Sequence, residues 1–262
     1  MTDNPFIFIA GPCVLESEAL AVEIAGRLKE MTQRLPLRFV FKASYDKANR
    51  TALTSHRGPG ITEGLRMLTQ VKRQIGVEVL SDVHETAQVA KAAAVLDVIQ
   101  IPAFLMRQTD LLVAAARSGK IVNIKKAQFA APEDLRYAVD KATAQGNAKL
   151  WLTERGTTFG YHNLVVDFRS FSVLRALGHP VIFDATHSVQ RPGLGGKSGG
   201  DRQFVAPLAR AAAAYGIDGL FTETHPNPDS APSDGANMLR LDEIPQLLDQ
   251  VLTAREAAFK LS

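Results

Sequence analysis

Eight short apolar runs, most of them rich in β-branched residues, recur along the 262 residues with room for one helix between each pair. They are FIFIA (6–10), RFVFKA (38–43), VEVL (77–80), DVIQI (97–101), IVNIK (121–125), KLWLT (149–153), PVIFD (180–184) and GLFTE (219–223). The stretches between them carry helical periodicity. In the first, Leu20, Ile24, Leu28, Met31 and Leu35 recur at three- and four-residue steps, with Ser17 placed as the N-cap. Another starts at Pro132 and runs through Leu135 and Val139, and a third, FVAPLARAAAAYG (204–216), ends at a glycine suited to a C-cap. Eight strands alternating with helices predict an α/β fold, a (β/α)8 barrel forming one domain over residues 1–262. The competitor is a doubly wound sheet, whose G-x-G-x-x-G turn is not found in AGPCVLES at the end of the first run.

The loops locate the site. Gly76, Gly119 and Gly216 stand just before strands, so the helix-to-strand connections are short. The strand-to-helix connections are long after runs two (SYDKANRTALTSHRGPG), seven (THSVQRPGLGGKSGGDR) and eight (THPNPDSAPSDGANMLR). In a barrel all three rise from the C-terminal face of the strands, where active sites form.

Charge narrows the class of ligand. The net charge of +3 is mild, and no block of consecutive Lys or Arg reads as a nucleic-acid arm. No apolar run reaches membrane-spanning length, the N-terminus is not patterned as a signal peptide, and a single cysteine forms no internal disulfide. These features predict a soluble cytoplasmic protein with neither a membrane nor a nucleic-acid partner. Positive charge is instead collected at strand ends: Lys42 and Lys47, Lys125 and Lys126, and Arg155. A lysine inside FVFKAS is costly to bury unless an anion meets it, so phosphate and carboxylate are the expected ligands.

The one cysteine, Cys13, follows the first run. Alone it reads as a small buried hydrophobe. In the barrel register it lies beside run eight, which carries Glu223 with Asp234 in the loop beyond, while His187 follows run seven. Thiolate, imidazole and two carboxylates from three adjacent strands make a ligand set for one divalent transition metal ion. Zinc, iron(II), manganese and cobalt all suit it.

The stretches FKASYDKANRT, SHRGPG, SDVHE, QIPAFLMRQTDLL, NIKKAQF, RGTTFGYHNLVVDFRS, FDATHSVQ and the SGG ending loop seven cover nearly the whole chain. Together they resemble the 3-deoxy-D-manno-octulosonate-8-phosphate synthases, or 2-dehydro-3-deoxyphosphooctonate aldolases. The resemblance implies a (β/α)8 barrel that condenses phosphoenolpyruvate with D-arabinose 5-phosphate and water and releases phosphate. The product leads to Kdo, a sugar of Gram-negative lipopolysaccharide. Carried over by position, Lys42, Ser44, Gln100, Lys125 and Arg155 would bind phosphoenolpyruvate. Lys47 would lie between the substrates. Asn49, Arg50, Thr51, Asp82 and His84 would serve the sugar phosphate; the family more often has serine where Thr51 stands. Arg107 and Gln108 would reach a neighbouring subunit's sugar phosphate, which implies a homotetramer. Lys47, Asp82, His187 and Asp234 are the implied catalytic groups, and Cys13 matches the family's metal-dependent branch, since the other branch has asparagine there.

Two rivals remain. The related 3-deoxy-D-arabino-heptulosonate-7-phosphate synthases take erythrose 4-phosphate and carry KPRT where this chain has KANRT. A non-catalytic phosphate-binding barrel would need neither the metal set nor a second anion site.

Overall fold

The pleat sends alternate residues of each apolar run to opposite faces, and closing the sheet turns one face inward. The strands are β1 (Phe6–Gly11), β2 (Leu37–Lys42), β3 (Glu78–Asp82), β4 (Val98–Ile101), β5 (Ile121–Lys125), β6 (Leu150–Glu154), β7 (Val181–Asp184) and β8 (Gly219–His225). Each pairs in parallel with the next, and β8 returns to β1 with Ile7 opposite Gly219, so the barrel is closed. The expected (β/α)8 barrel is the observed fold. The computed structural model describes residues 5–50, 52–192 and 199–260.

Among the described residues eight α-helices cover the outside: α1 (Glu18–Thr32), α2 (Ile61–Ile75), α3 (Thr86–Ala93), α4 (Thr109–Arg117), α5 (Leu135–Thr143), α6 (Arg169–Arg175), α7 (Val205–Tyr215) and α8 (Ile244–Phe259). The Ser17 hydroxyl accepts from the Leu20 amide at 3.2 Å and caps α1 as its position predicts. Gly76 and Gly216 take left-handed conformations at the ends of α2 and α7, which lets the chain turn at once into the next strand. Pro132 opens a single 3-10 turn that leads into α5. Among the described residues no helix is long and apolar enough to cross a membrane.

Two hydrophobic layers result. Outward strand residues such as Phe6, Phe8, Phe41, Val79 and Phe183 pack under the helices. Inward residues Ile7, Ile9, Val40, Leu80, Val98, Trp151, Ile182 and Phe221 fill the lower barrel. These side chains close the floor of the barrel from within. Arg38 and Glu78 form a half-exposed ion pair at 2.6 Å, and the Arg38 guanidinium lies 5.3 Å from the centre of the Trp151 ring. A further long strand-to-helix connection follows β6. The segment between β6 and α6 is built around a two-stranded hairpin pairing Thr157–Thr158 with Leu164–Val165.

Candidate active site

One step above the apolar layer, the inward positions turn polar. Val40 is followed by Lys42, Leu80 by Asp82, Val98 by Gln100, Ile182 by Asp184 and Phe221 by Glu223. All of these polar side chains are buried. They lie at and below a cavity of about 680 Å³ at the C-terminal end of the strands. Its walls include Lys42, Lys47, Asn49, Arg50, Asp82, His84, Gln100, Lys125, Arg155, His187 and Asp234, so the structure brings together most of the residues singled out from the sequence.

Cys13 reaches this region because β1 ends in Gly-Pro. A Cβ at Gly11 would lie 2.1 Å from the Lys42 carbonyl oxygen, so only glycine lets the two strand ends approach this closely. The chain then stays against β2: the Ser44 amide donates to the Cys13 carbonyl at 3.3 Å, and Leu15 to that of Ser44 at 3.0 Å. The Cys13 Sγ sits 3.0 Å from Asp234 Oδ2 and 3.1 Å from Ser233 Oγ. Ligand atoms of Cys13, Glu223 and Asp234 all lie within 4.8 Å of one another. Asp234 holds a left-handed conformation at φ 52°, uncommon for a non-glycine residue and typical of a constrained site.

His187, the fourth expected ligand, stands beside this trio and not within it. Its Nδ1 is 2.7 Å from Asp184 Oδ2, and its Nε2 is 3.7 Å from Glu223 Oε1. A carboxylate only accepts, so Nδ1 is the donor to Asp184.

The donor set fits a cation by its own chemistry. Glu223 Oε1 takes the Lys42 ammonium at 2.6 Å, while the buried Glu223 Oε2 has no partner among the described residues. Burial, followed by the charges of Asp234 and Glu223, pushes the Cys13 thiol well above its usual range. A cation placed among these groups would satisfy the free oxygen and reverse that penalty on the thiolate.

The other wall is cationic. Lys125 Nζ binds Asp184 Oδ2 at 2.5 Å and lies 3.9 Å from the centre of the Phe221 ring. Arg155 Nη2 donates to Gln190 Oε1 at 2.7 Å, but its buried Nη1 has no hydrogen-bond partner among the described residues. Burial pushes both the Lys125 ammonium and the Arg155 guanidinium below their usual ranges, against the pull of nearby carboxylates. Lys125 already has a carboxylate partner, whereas Arg155 keeps one N–H to offer.

Lys47 also lines the cavity, its ammonium 3.9 Å from Glu223 Oε1. Burial works against its charge, but Cys13, Glu223, Asp82 and Asp234 together hold its ammonium well above the usual range. Arg50 crosses the mouth from the loop after β2 to the loop after β8, donating to Ser233 Oγ at 2.6 Å and the Pro232 carbonyl at 3.2 Å.

Several expected residues are placed elsewhere. Ser44 is wholly buried, donates to Asp82 Oδ2 and does not line the cavity. Arg107 and Gln108 are exposed just before α4, outside the cavity. Thr51 lies outside the described residues. Gln190, not among the residues expected from the sequence, links Arg155 to Asp234 by also donating to Asp234 Oδ1 at 2.8 Å. Its only signal was its place three residues after His187, one short helical turn on. Asp184, the last residue of β7, orients both Lys125 and His187.

Comparison with known proteins agrees with this geometry. The model of the DAHP synthetase I family matches residues 2–258. The protein named 2-dehydro-3-deoxyphosphooctonate aldolase in Syntrophotalea carbinolica is 57% identical over 251 residues, 95% of this chain and 91% of its own. Its namesake in Desulfatibacillum aliphaticivorans is 56% identical over 255 residues, 97% and 93% of the two chains. That of Xanthomonas oryzae pv. oryzae is 57% identical over 251 residues, 95% and 91%. A closed eight-stranded barrel, cationic groups and a thiol-carboxylate cluster at one end of it, and full-length likeness at this level lead to one conclusion: the chain belongs to the DAHP synthetase I family, among its 2-dehydro-3-deoxyphosphooctonate aldolases.

Proposed function

We propose that the cavity condenses phosphoenolpyruvate with D-arabinose 5-phosphate and water, giving 3-deoxy-D-manno-octulosonate 8-phosphate and inorganic phosphate. The observation that carries this reading is the cationic wall. Among the described residues Arg155 keeps a buried N–H without a hydrogen-bond partner, and Lys125 is desolvated in the same cavity, an arrangement that calls for an anionic ligand.

In the reaction the enol carbon attacks the aldehyde, positive charge grows on the neighbouring carbon, and water adds there. The hemiketal phosphate that results then loses phosphate. Lys125 and Arg155 would hold the phosphate and carboxylate of phosphoenolpyruvate, and Lys42 and Lys47 would approach from the opposite side. Fixed cations of this kind orient the enol and stabilise charge without reorganising. Asp82 is suited to a fixed anion. Burial raises its carboxyl, but Lys42, Lys47, His84 and the Ser44 hydroxyl together outweigh that and keep it well below the usual range. Cys13, Glu223, Asp234 and the Nε2 of His187 would hold a divalent metal ion. When bound, such an ion lowers the pKa of a coordinated water or polarises the sugar aldehyde.

Arg107 and Gln108 are assigned to a subunit contact in a homotetramer, in keeping with their exposure next to Phe104, itself 52% exposed. Phosphorylated substrates do not cross a bilayer unaided, so the reaction is placed in the cytoplasm.

The test is phosphate release. It is expected to require an aldose phosphate and to favour arabinose 5-phosphate strongly over erythrose 4-phosphate. Equal turnover with the four-carbon sugar would move the chain to the heptulosonate synthases, and release with neither sugar would leave only a phosphate-binding barrel.

A further inference from the structure

Inward-facing polar side chains on four consecutive strands form one hydrogen-bonded row across the barrel. Asp82 on β3 accepts from Gln100 Nε2 on β4. Gln100 Oε1 accepts from Asn123 Nδ2 on β5 at 2.8 Å, and Asn123 Oδ1 accepts from the Thr153 hydroxyl on β6 at 2.6 Å. Asp82, Gln100 and Asn123 are register partners, so the row follows from the strand pairing itself. Asn123 and Thr153 are wholly buried and do not line the cavity, whereas Gln100 does.

The direction of the row follows from chemistry. An ionised carboxylate only accepts, so Gln100 must turn its NH2 toward Asp82. Its carbonyl then faces β5 and takes the Asn123 NH2, and the Asn123 carbonyl is left for the Thr153 hydroxyl. Gln100 has therefore turned its carbonyl to β5 and committed one N–H to Asp82. Its remaining N–H is what it can offer the cavity. We infer that Asn123 and Thr153 are positioning residues, holding Gln100 so that the wall between Asp82 and Lys125 presents a donor to a phosphoenolpyruvate oxygen. The inference rests on the functional reading above, and the residues that perform the positioning lie outside the site that reading describes.

Thr153→Val removes the hydroxyl at nearly constant volume, and Thr153→Ser keeps it. One hydrogen bond of this kind sets an expected two- to tenfold range, roughly. Thr153→Val should raise both the KM and the calorimetric Kd for phosphoenolpyruvate within that range, with a smaller change in kcat. Thr153→Ser should restore both constants. Unchanged constants in the valine variant, or equal weakening by serine and valine, would overturn the inference. Wild-type binding of phosphoenolpyruvate separately checks the reading beneath it. Should that binding fail, a crystal structure of Thr153→Val still decides the matter: undisturbed Asn123 and Gln100 contacts would show that Thr153 positions nothing.

Discussion

On β2 the inward side chains two residues apart are Val40 and Lys42; on β7 they are Ile182 and Asp184, and on β8 Phe221 and Glu223. The lower member of each pair joins the apolar fill of the barrel, and the upper one is equally buried but charged. Apolar burial contributes about 25 cal/mol per Å² and asks for nothing in return. A buried ion pair does little better than break even against desolvation, so charges are a poor way to fill a barrel. The two halves share strands, register and burial. They differ in purpose: the lower half holds the barrel closed, and the upper half is kept for a charged ligand.

The sharpest way to break this division is at its largest apolar member. Trp151→Ala should cost about 3–5 kcal/mol of stability, read from denaturant unfolding, while the KM for phosphoenolpyruvate stays unchanged. A large rise in KM would mean that the floor helps shape the site. Next comes the metal cluster. Cys13→Ala should weaken divalent-metal affinity by more than about a hundredfold and abolish most activity, with melting temperature nearly constant. Metal content by elemental analysis is the direct readout, and wild-type activity should be lost to a strong chelator and regained with added metal. Full metal content with a lowered melting temperature would return Cys13 to the role of a small core residue.

On the cationic wall, Arg155→Ala should lose about 1.5–3 kcal/mol of binding, roughly ten- to 150-fold in kcat/KM for phosphoenolpyruvate, without unfolding. An unchanged KM would remove it from the wall. The smallest effect concerns His84. Burial lowers its pKa from the ordinary 6.5, despite the pull of Asp82. The unfolded chain therefore takes up a proton first, and stability should decline as pH falls below that ordinary value. His84→Gln should flatten the decline between roughly pH 7 and pH 5. A slope identical in wild type and variant would show that His84 does not contribute to it.

Much of the upper half could be read from strand ends. Lys42, Lys125, Arg155 and Glu223 close apolar runs, and Cys13 gained meaning only once the register put run one beside run eight. Adjacent residues were harder to separate. Lys125 and Lys126 look alike in NIKKAQF, but the pleat sends Lys125 into the cavity wall. Lys126 points behind it, where its buried ammonium meets the Ala127 carbonyl at 3.1 Å, Thr157 Oγ1 at 3.0 Å and Glu154 at 3.5 Å. Asn123 and Thr153 left no mark in the sequence, because one polar residue in an apolar strand reads as tolerated until its cross-strand partner is known.

What the sequence determined by itself was periodic and local: eight strands, the helix caps at Ser17 and Gly216, the change from apolar to polar along each inward track, and the end of the barrel where chemistry belongs. Those properties follow from side-chain volume, β-branching and charge within a few residues of one another. Tertiary structure alone decided which groups touch. Cys13 meets Asp234 across 221 positions of chain, His187 turns to Asp184 before Glu223, and Gln190 joins the two walls. Such contacts depend on barrel closure and on the path of the loops above it, and neither is a property of any short stretch of chain.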